Sequence, residues 1–260
     1  MSILEKIVER KKQELARSRE YYLSVKKEYL RIKQQKPGAF LGALQQPGIS
    51  IIAEFKRQSP SAGVIQLGTS ITSQIQKYEQ GGACAVSVLT DREFFGGSIY
   101  DLKTACESTR LPVLRKDFIL EEAQIYEAVC SGAAAVLLIA GILEKQRLKE
   151  LAACAAGSGL DSLIEIRTVQ EAEIAAECGA GIIGINTRNL HTFNVDFSLL
   201  RTLAATVPDT VVKVSESGVT RAGDIKQIDS WGFDAVLVGT ALMRSGDPVS
   251  KLRELKGGGV

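Results

Sequence analysis

Four short apolar runs recur along the chain, each opened by a glycine: Gly82-Ala83-Cys84-Ala85-Val86-Ser87-Val88, Gly132-Ala133-Ala134-Ala135-Val136-Leu137-Leu138, Gly179-Ala180-Gly181-Ile182-Ile183-Gly184-Ile185 and Gly232-Phe233-Asp234-Ala235-Val236-Leu237-Val238. Their first glycines are 50, 47 and 53 residues apart. Each run follows a stretch with helical spacing, so its glycine reads as the C′ residue that ends a helix in the left-handed conformation. The run behind it lacks polar alternation, which marks a strand covered on both faces. Four more candidates, Ile51–Lys56, Pro112–Lys116, Asp161–Ile166 and Val211–Glu216, lie between these. Eight strands alternating with helices, in units of about 20–33 residues, predict a (β/α)8 TIM barrel of the α/β class. The glycine-led runs are then strands two, four, six and eight. An open doubly wound sheet fits less well, because no GxGxxG follows the first strand.

Residues 1–48 fall outside that count. Ile3, Leu4, Ile7, Val8 and Leu15, then Tyr22, Leu23, Tyr29, Leu30 and Ile32, recur at near-helical spacing until Lys36-Pro37-Gly38 ends the pattern. This predicts an N-terminal helical extension over residues 1–48, docked on a barrel spanning 49–260, with the whole forming one domain.

Charge refines the picture of the extension. The net charge of +2 conceals an asymmetry: residues 1–36 carry 11 Lys/Arg against 5 Asp/Glu, and the remainder 21 against 25. The signs are mixed along the helical pattern without a long basic block, so a solvated helix face is expected rather than a nucleic-acid or membrane surface. The longest nearly uncharged apolar stretch, Val129 to Leu143, is too short for a spanning helix and is interrupted by Ser131 and Gly132. The opening Met1-Ser2-Ile3-Leu4-Glu5-Lys6 has no apolar signal core. A soluble cytoplasmic protein is the expectation.

The five cysteines, Cys84, Cys106, Cys130, Cys154 and Cys178, form no CxxC pair and sit among Ala, Gly and Val, as small buried hydrophobes do. His191 is the single histidine and has no Cys or His neighbour, so neither a zinc site nor a Ser-His triad has enough parts. Acid–base chemistry must then run on carboxylates and lysines.

Those residues stand at the strand ends, where the active sites of such barrels lie. Strand one ends in Glu54-Phe55-Lys56 and runs into Ser59-Pro60-Ser61; residues two apart in a strand share a face, so Glu54 and Lys56 point together into the barrel mouth. Strand three ends in Lys116-Asp117, strand five holds Glu165, strand six ends at Asn186 with Arg188 beyond, and strand seven ends in Glu216-Ser217-Gly218. Charges on apolar strands need partners or a ligand, since an isolated buried charge costs several kcal/mol. Ser217-Gly218 after strand seven, and Leu237 and Gly239-Thr240 at the end of strand eight, fit a phosphate site built from backbone N–H groups and hydroxyls.

Six stretches, Ile51-Ile52-Ala53-Glu54-Phe55-Lys56-Arg57-Gln58-Ser59-Pro60-Ser61, Leu114-Arg115-Lys116-Asp117-Phe118, Leu163-Ile164-Glu165, Gly184-Ile185-Asn186-Thr187-Arg188-Asn189-Leu190, Val214-Ser215-Glu216-Ser217-Gly218 and Val238-Gly239-Thr240-Ala241-Leu242-Met243, closely resemble indole-3-glycerol-phosphate synthase. The resemblance runs from the N-terminal helix to strand eight. It implies a carboxy-lyase of tryptophan biosynthesis that closes 1-(o-carboxyphenylamino)-1-deoxyribulose 5-phosphate to indole-3-glycerol phosphate, losing CO2 and water without a cofactor. It also implies roles: Lys116 as general acid at the ketone, Lys56 as partner of the ring carboxylate, and an acid and base for dehydration from Lys56, Glu54 and Glu165. Asn186 and Glu216 would hold substrate hydroxyls, and Ser59, Ser217, Gly218, Gly239 and Thr240 the phosphate. Phe95, in Glu93-Phe94-Phe95-Gly96-Gly97, falls where the family lines its aromatic pocket, although a rim aromatic packed on the barrel is the plainer reading. Arg188 reads either as a ligand contact or as a loop-to-loop ion pair.

Ala62 departs from the family, some of whose members carry Lys or Gly there. The chain ends at Gly257-Gly258-Gly259-Val260 without a second barrel, as in the single-function form. A monomer is expected, making at most transient contact with pathway neighbours. Two rivals remain. Another phosphosugar barrel such as phosphoribosylanthranilate isomerase would share the phosphate site but expects a Cys and Asp pair at strand ends, where no cysteine falls. A non-catalytic phosphate-ligand barrel would not need paired Glu and Lys on strand one facing Lys116.

Overall fold

The computed structural model describes residues 2–32, 37–188 and 195–257. His191, Asn189, Leu190, Lys36 and the last three residues, which bore on the sequence reading, lie outside the described residues. Eight parallel strands close into a barrel: β1 (Ser50–Phe55), β2 (Ala85–Leu89), β3 (Val113–Lys116), β4 (Ala135–Ile139), β5 (Asp161–Ile166), β6 (Ile182–Ile185), β7 (Val212–Ser215) and β8 (Ala235–Val238). Each pairs with its sequence neighbour, and β1 closes the ring against β8, with Ile52 facing Leu237 on one side and Ala85 on the other.

Alternation along the strands separates two cores. Inward residues such as Ile52, Ala85, Leu114, Leu137, Leu163, Val214 and Leu237 fill the barrel. Their outward neighbours Ile51, Val86, Val136, Ile164 and Val236 pack beneath the helical ring. Both strand faces are therefore apolar, as the uninterrupted runs predict. Gly82, Gly132 and Gly179 each follow the cap residue of a helix with φ between 74° and 84°. Gly232, with φ of 78°, sits one residue later than expected, because the helix before it ends at Asp229 with Ser230 as cap.

The extension differs from a single helix. A capping box between Ser2 and Glu5 starts α1 (Ile3–Arg17), the chain breaks at Ser18, and α2 (Arg19–Tyr29) follows. A third helix, α3 (Ala39–Leu44), closes the barrel end opposite the mouth, where Asp161 at the start of β5 accepts hydrogen bonds from the Phe40 and Leu41 backbone N–H groups. The α2 helix lies on α6 (Glu122–Cys130), with the Tyr29 and Tyr126 rings stacked at 4.3 Å.

The expectation of a solvated charged face on the extension fails at Lys11, which is only 2% exposed. Its ammonium lies 3.1 Å from Asp117, just beyond β3, and 3.3 Å from Asp91, just beyond β2, with Glu14 at 3.0 Å. Asp117 also accepts from Thr90 and Arg115, and the buried Arg115 pairs with Glu127. Burial works against the charge of Asp117, but Lys11 and Arg115 outweigh it and hold this carboxyl down at about 2. The hydrophobic reading of the cysteines also needs adjustment: all five are free thiols but half-buried, Cys106, Cys154 and Cys178 packing against the outer core and Cys84 against the inner one. No helix among the described residues is long and apolar enough to cross a membrane.

Removing the Lys11 ammonium leaves Asp91 and Asp117 buried without their common cation. Lys11→Met should cost about 3–5 kcal/mol in urea unfolding while the far-ultraviolet spectrum stays that of the barrel. Adding Asp91→Asn should recover part of the loss, because one uncompensated charge goes; strict additivity in the double variant would refute the pairing.

Candidate active site

Glycines at two strands make room for charge inside the barrel. A Cβ on Gly184 of β6 would collide with the Glu216 carboxylate and lie 2.7 Å from Leu163. One on Gly239, just beyond β8, would meet the Glu54 carboxylate and lie 2.9 Å from the Lys56 ammonium. Glu54 and Lys56 form an ion pair on the inner face of β1, as their spacing predicts.

Opposite them Lys116, the last residue of β3, is 2.6 Å from Glu216 Oε2 and 3.5 Å from Glu165 Oε2. Glu165 Oε1 accepts from Asn186 Nδ2 at 3.2 Å, and Asn186 Oδ1 accepts from Ser217 at 3.1 Å. Burial opposes the charge on Lys116, but the carboxylates of Glu216, Glu165 and Glu54 outweigh it and hold the ammonium above the usual lysine range. Burial pushes Glu216 up to about 8, with Glu165 adding to the rise and Lys116 opposing it. Glu165 goes the other way: burial is overcome by Lys116 and Arg167, helped by the hydrogen bonds from Glu216 and Asn186. Two carboxylates this close hold one proton between them. Of the two, Glu216 is driven toward its protonated form and Glu165 toward its ionised form, and Glu216 Oε1 is buried with no hydrogen-bond partner among the described residues.

All of these residues line one cavity at the barrel mouth, together with Ser59, Phe95, Arg188 and Ser217. Phe95 and Phe118 face each other at 6.1 Å, and Ile3, Leu4 and Ile7 of α1 complete an apolar wall. Phe95 thus lines the cavity rather than only the rim. A second cavity adjoins it, bounded by Gly218, Leu237, Gly239 and Thr240, and shares Lys56, Ser61, Arg188, Glu216 and Ser217 with the first. The short helix α11 (Thr240–Arg244) starts there, and Gly218, at φ of 93°, has no room for a side chain beside Phe197 and Val195. Ser59 stands apart from this second cavity, since its hydroxyl accepts from Ala62 N and bonds to Ser61. Arg188 borders both cavities, and burial lowers its pKa.

Several lining residues were not foreseen from sequence: Arg167, Arg244 and Phe118. Arg167 lies two residues beyond Glu165, so the alternation that places Glu165 inward places Arg167 inward too. Among the described residues no group of His, Cys, Asp and Glu is arranged to hold a metal ion.

A family profile described as indole-3-glycerol phosphate synthase matches residues 4–255. The chain belongs to that family. Proteins of the same name from Bacillus thuringiensis subsp. konkukian and Leptospira interrogans are similar to it. The first is 43% identical over 245 residues, covering 94% of each chain. The second is 45% identical over 205 residues, covering 79% of this chain and 81% of the relative. Among solved structures, a mutant tryptophan synthase alpha-subunit from Pyrococcus furiosus superposes with a TM-score of 0.61 at 15% identity, covering 80% of this chain and 98% of that one. A thiamine phosphate pyrophosphorylase from the same organism gives 0.59 at 19%, covering 80% and 94%. At such identity these two speak for the barrel fold alone.

The raised Glu216 carboxyl makes the stability of the folded chain depend on pH. Between the ordinary glutamate value of 4.5 and about 8 the folded chain holds a proton that the unfolded chain has released. Stability contributed by that proton is full below pH 4.5 and is lost as pH rises through 8. The urea midpoint of the wild type should therefore fall from pH 5 to pH 8.5, and Glu216→Gln should flatten that slope. An unchanged slope in the variant would place the proton elsewhere.

Proposed function

We propose that this cavity closes the ring of 1-(o-carboxyphenylamino)-1-deoxyribulose 5-phosphate to give indole-3-glycerol phosphate, CO2 and water, with Lys116 as the acid. The observation that carries the assignment is the position of the Lys116 ammonium between Glu216 and Glu165 at the barrel mouth, across from the Glu54–Lys56 pair. Family membership supplies the reaction; the roles of single residues are our reading of the geometry.

The ring carbon that bears the carboxylate attacks the ketone carbon, and the ketone oxygen must gain a proton as the bond forms. Lys116 stays charged across neutral pH and can deliver that proton. Lys56 neutralises the ring carboxylate until C–C cleavage releases CO2 and restores the aromatic ring. In the last stage the new hydroxyl takes up a proton from Lys56 and leaves as water, and a proton is lost from the ring carbon beside the nitrogen, which completes the indole. Glu165 is the acceptor we favour, because it is the carboxylate of its pair that stays ionised. The apolar wall of Phe95, Phe118 and α1 suits the anthranilate ring and keeps water away from these charges.

The second cavity suits the phosphate. Ser217 and Thr240 offer hydroxyls, Gly218 and Gly239 permit close backbone approach, and Lys56, Arg188 and Arg244 add positive charge. A phosphoribosylanthranilate isomerase is not favoured by the family match.

The assay is direct. Purified protein given the substrate should generate indole fluorescence, and Lys116→Ala should lose about 10²–10⁴-fold in kcat, the range of a general acid, with KM changed less than about tenfold. Lys116→Ala at half the wild-type rate would remove Lys116 from the role. Inorganic phosphate should bind without substrate, compete with it and raise the melting temperature by mass action. Thr240→Val should weaken that stabilisation, and an equal shift in the variant would move the phosphate away from α11.

A further inference from the structure

Arg167 is a cation of the mouth that the proposed chemistry does not use. It follows directly on β5, on the inward face set by Leu163 and Glu165, and its side chain is one-quarter exposed at the cavity wall. Its Nη2 lies 3.4 Å from Glu165 Oε1, while its Nε–H is buried without an acceptor. The backbone is fixed at the same point, because Arg167 N donates to Glu171 Oε2 at 2.6 Å. The guanidinium is therefore anchored at the start of α8 (Val169–Glu177) and aimed at one carboxylate.

We infer that Arg167 is a positioning residue that makes Glu165, rather than Glu216, the carboxylate that accepts the substrate proton. The inference rests on the reading of Glu165 as the base. The charged groups facing Glu165 are Lys116 from β3, Glu216 from β7 and Arg167 from its own strand, with Asn186 from β6 as a neutral donor. The Glu54–Lys56 pair of β1 and Arg188 line the same cavity. Lys116 is a divided and impermanent partner: it is closer to Glu216 than to Glu165, at 2.6 against 3.5 Å, and as the acid it gives up its charge during ring closure. At that moment Glu165 loses a cation. A guanidinium does not deprotonate in a protein, so Arg167 is the positive charge that persists through the cycle. Among the described residues Glu216 forms its ion pair with Lys116 alone, which matches the opposite directions in which burial and neighbours move the two carboxyls. Glu165 then remains an anion when the final proton must leave the substrate.

The test is the pH profile of the single-turnover rate in full-length wild type, Arg167→Gln, Arg167→Lys and Glu165→Gln, all at saturating substrate. Arg167→Gln should move the acidic limb up by about one pH unit, with KM changed less than about threefold, since only the ionisation of the base is altered. Arg167→Lys keeps the charge and should return the limb most of the way, whereas a merely structural arginine would move no limb. Glu165→Gln should remove the limb. If it does and Arg167→Gln leaves the limb in place, the inference about Arg167 fails alone. A KM raised tenfold at constant single-turnover rate in Arg167→Gln would also overturn it, and would make Arg167 an anchor for a substrate anion. A limb that survives in Glu165→Gln would remove the base assignment itself, and the inference with it.

Discussion

Three carboxyl groups and two ammonium groups stand close together on the inner face of a largely apolar barrel, and none of the five could carry charge there alone. The neighbouring architecture follows from that constraint. Gly184 and Gly239 must lack side chains because the carboxylates of Glu216 and Glu54 occupy the space a Cβ would need. Apart from Arg188, which lies two residues past Asn186, the charges sit at or within two residues of the last strand position, where water and ligand can reach them. Deeper layers hold Ile52, Leu114, Leu163 and Val214 instead.

The same constraint accounts for the extension. Asp91 and Asp117 lie just past β2 and β3, near enough to repel each other, and the barrel offers Arg115 to only one of them. Lys11 arrives from α1 and serves both. Because Asp117 follows Lys116 directly, the extension is tied to the strand end that carries the proposed acid. The α1 residues Ile3, Leu4 and Ile7 form part of the cavity wall one to two turns earlier on the same helix. A buried ion pair is weak evidence for net stability, but it gives α1 one definite position on the rim, which a purely apolar stripe would not.

Much of this was legible in the sequence because the strands are buried on both faces. Such strands leave uninterrupted apolar runs, and a polar residue at the end of one, such as Glu165 or Glu216, stands out. The two-residue alternation then correctly places Glu54 with Lys56. Local pattern fails where partners come from far away. Lys11 falls on the stripe of Ile7 and Leu15, four residues from each, and the exposed Lys12 beside it does not. A lysine there still reads as snorkelling to water, because the carboxylates that hold its charge lie 80 and 106 residues further on. Arg167 was open to the alternation rule but stands where a loop begins, and a charge there reads as solvated. The break at Ser18 was missed because apolar spacing resumes after it almost in phase. Ser59, which the family resemblance ties to the phosphate, lines the first cavity with its hydroxyl bonded to Ala62 and Ser61 in its own loop.

The two cavities also explain how a small substrate can be aimed. Lys56, Arg188, Glu216 and Ser217 border both, so the phosphate end and the reacting end of one molecule would share a wall of fixed charges. Contacts to a phosphate do not change during ring closure, and by themselves they lower KM without raising kcat. Their use here is orientation: a dianion held by Gly218, Gly239 and Thr240 restricts the ketone to the space before Lys116, and the aromatic ring to the wall of Phe95 and Phe118. The lysines divide the work by position. Lys56 belongs to both cavities and has one carboxylate partner, which suits a group that must accept a substrate anion as well. Lys116 lies deeper, between two carboxylates that share a proton, which suits a group that must give a proton up and take one back.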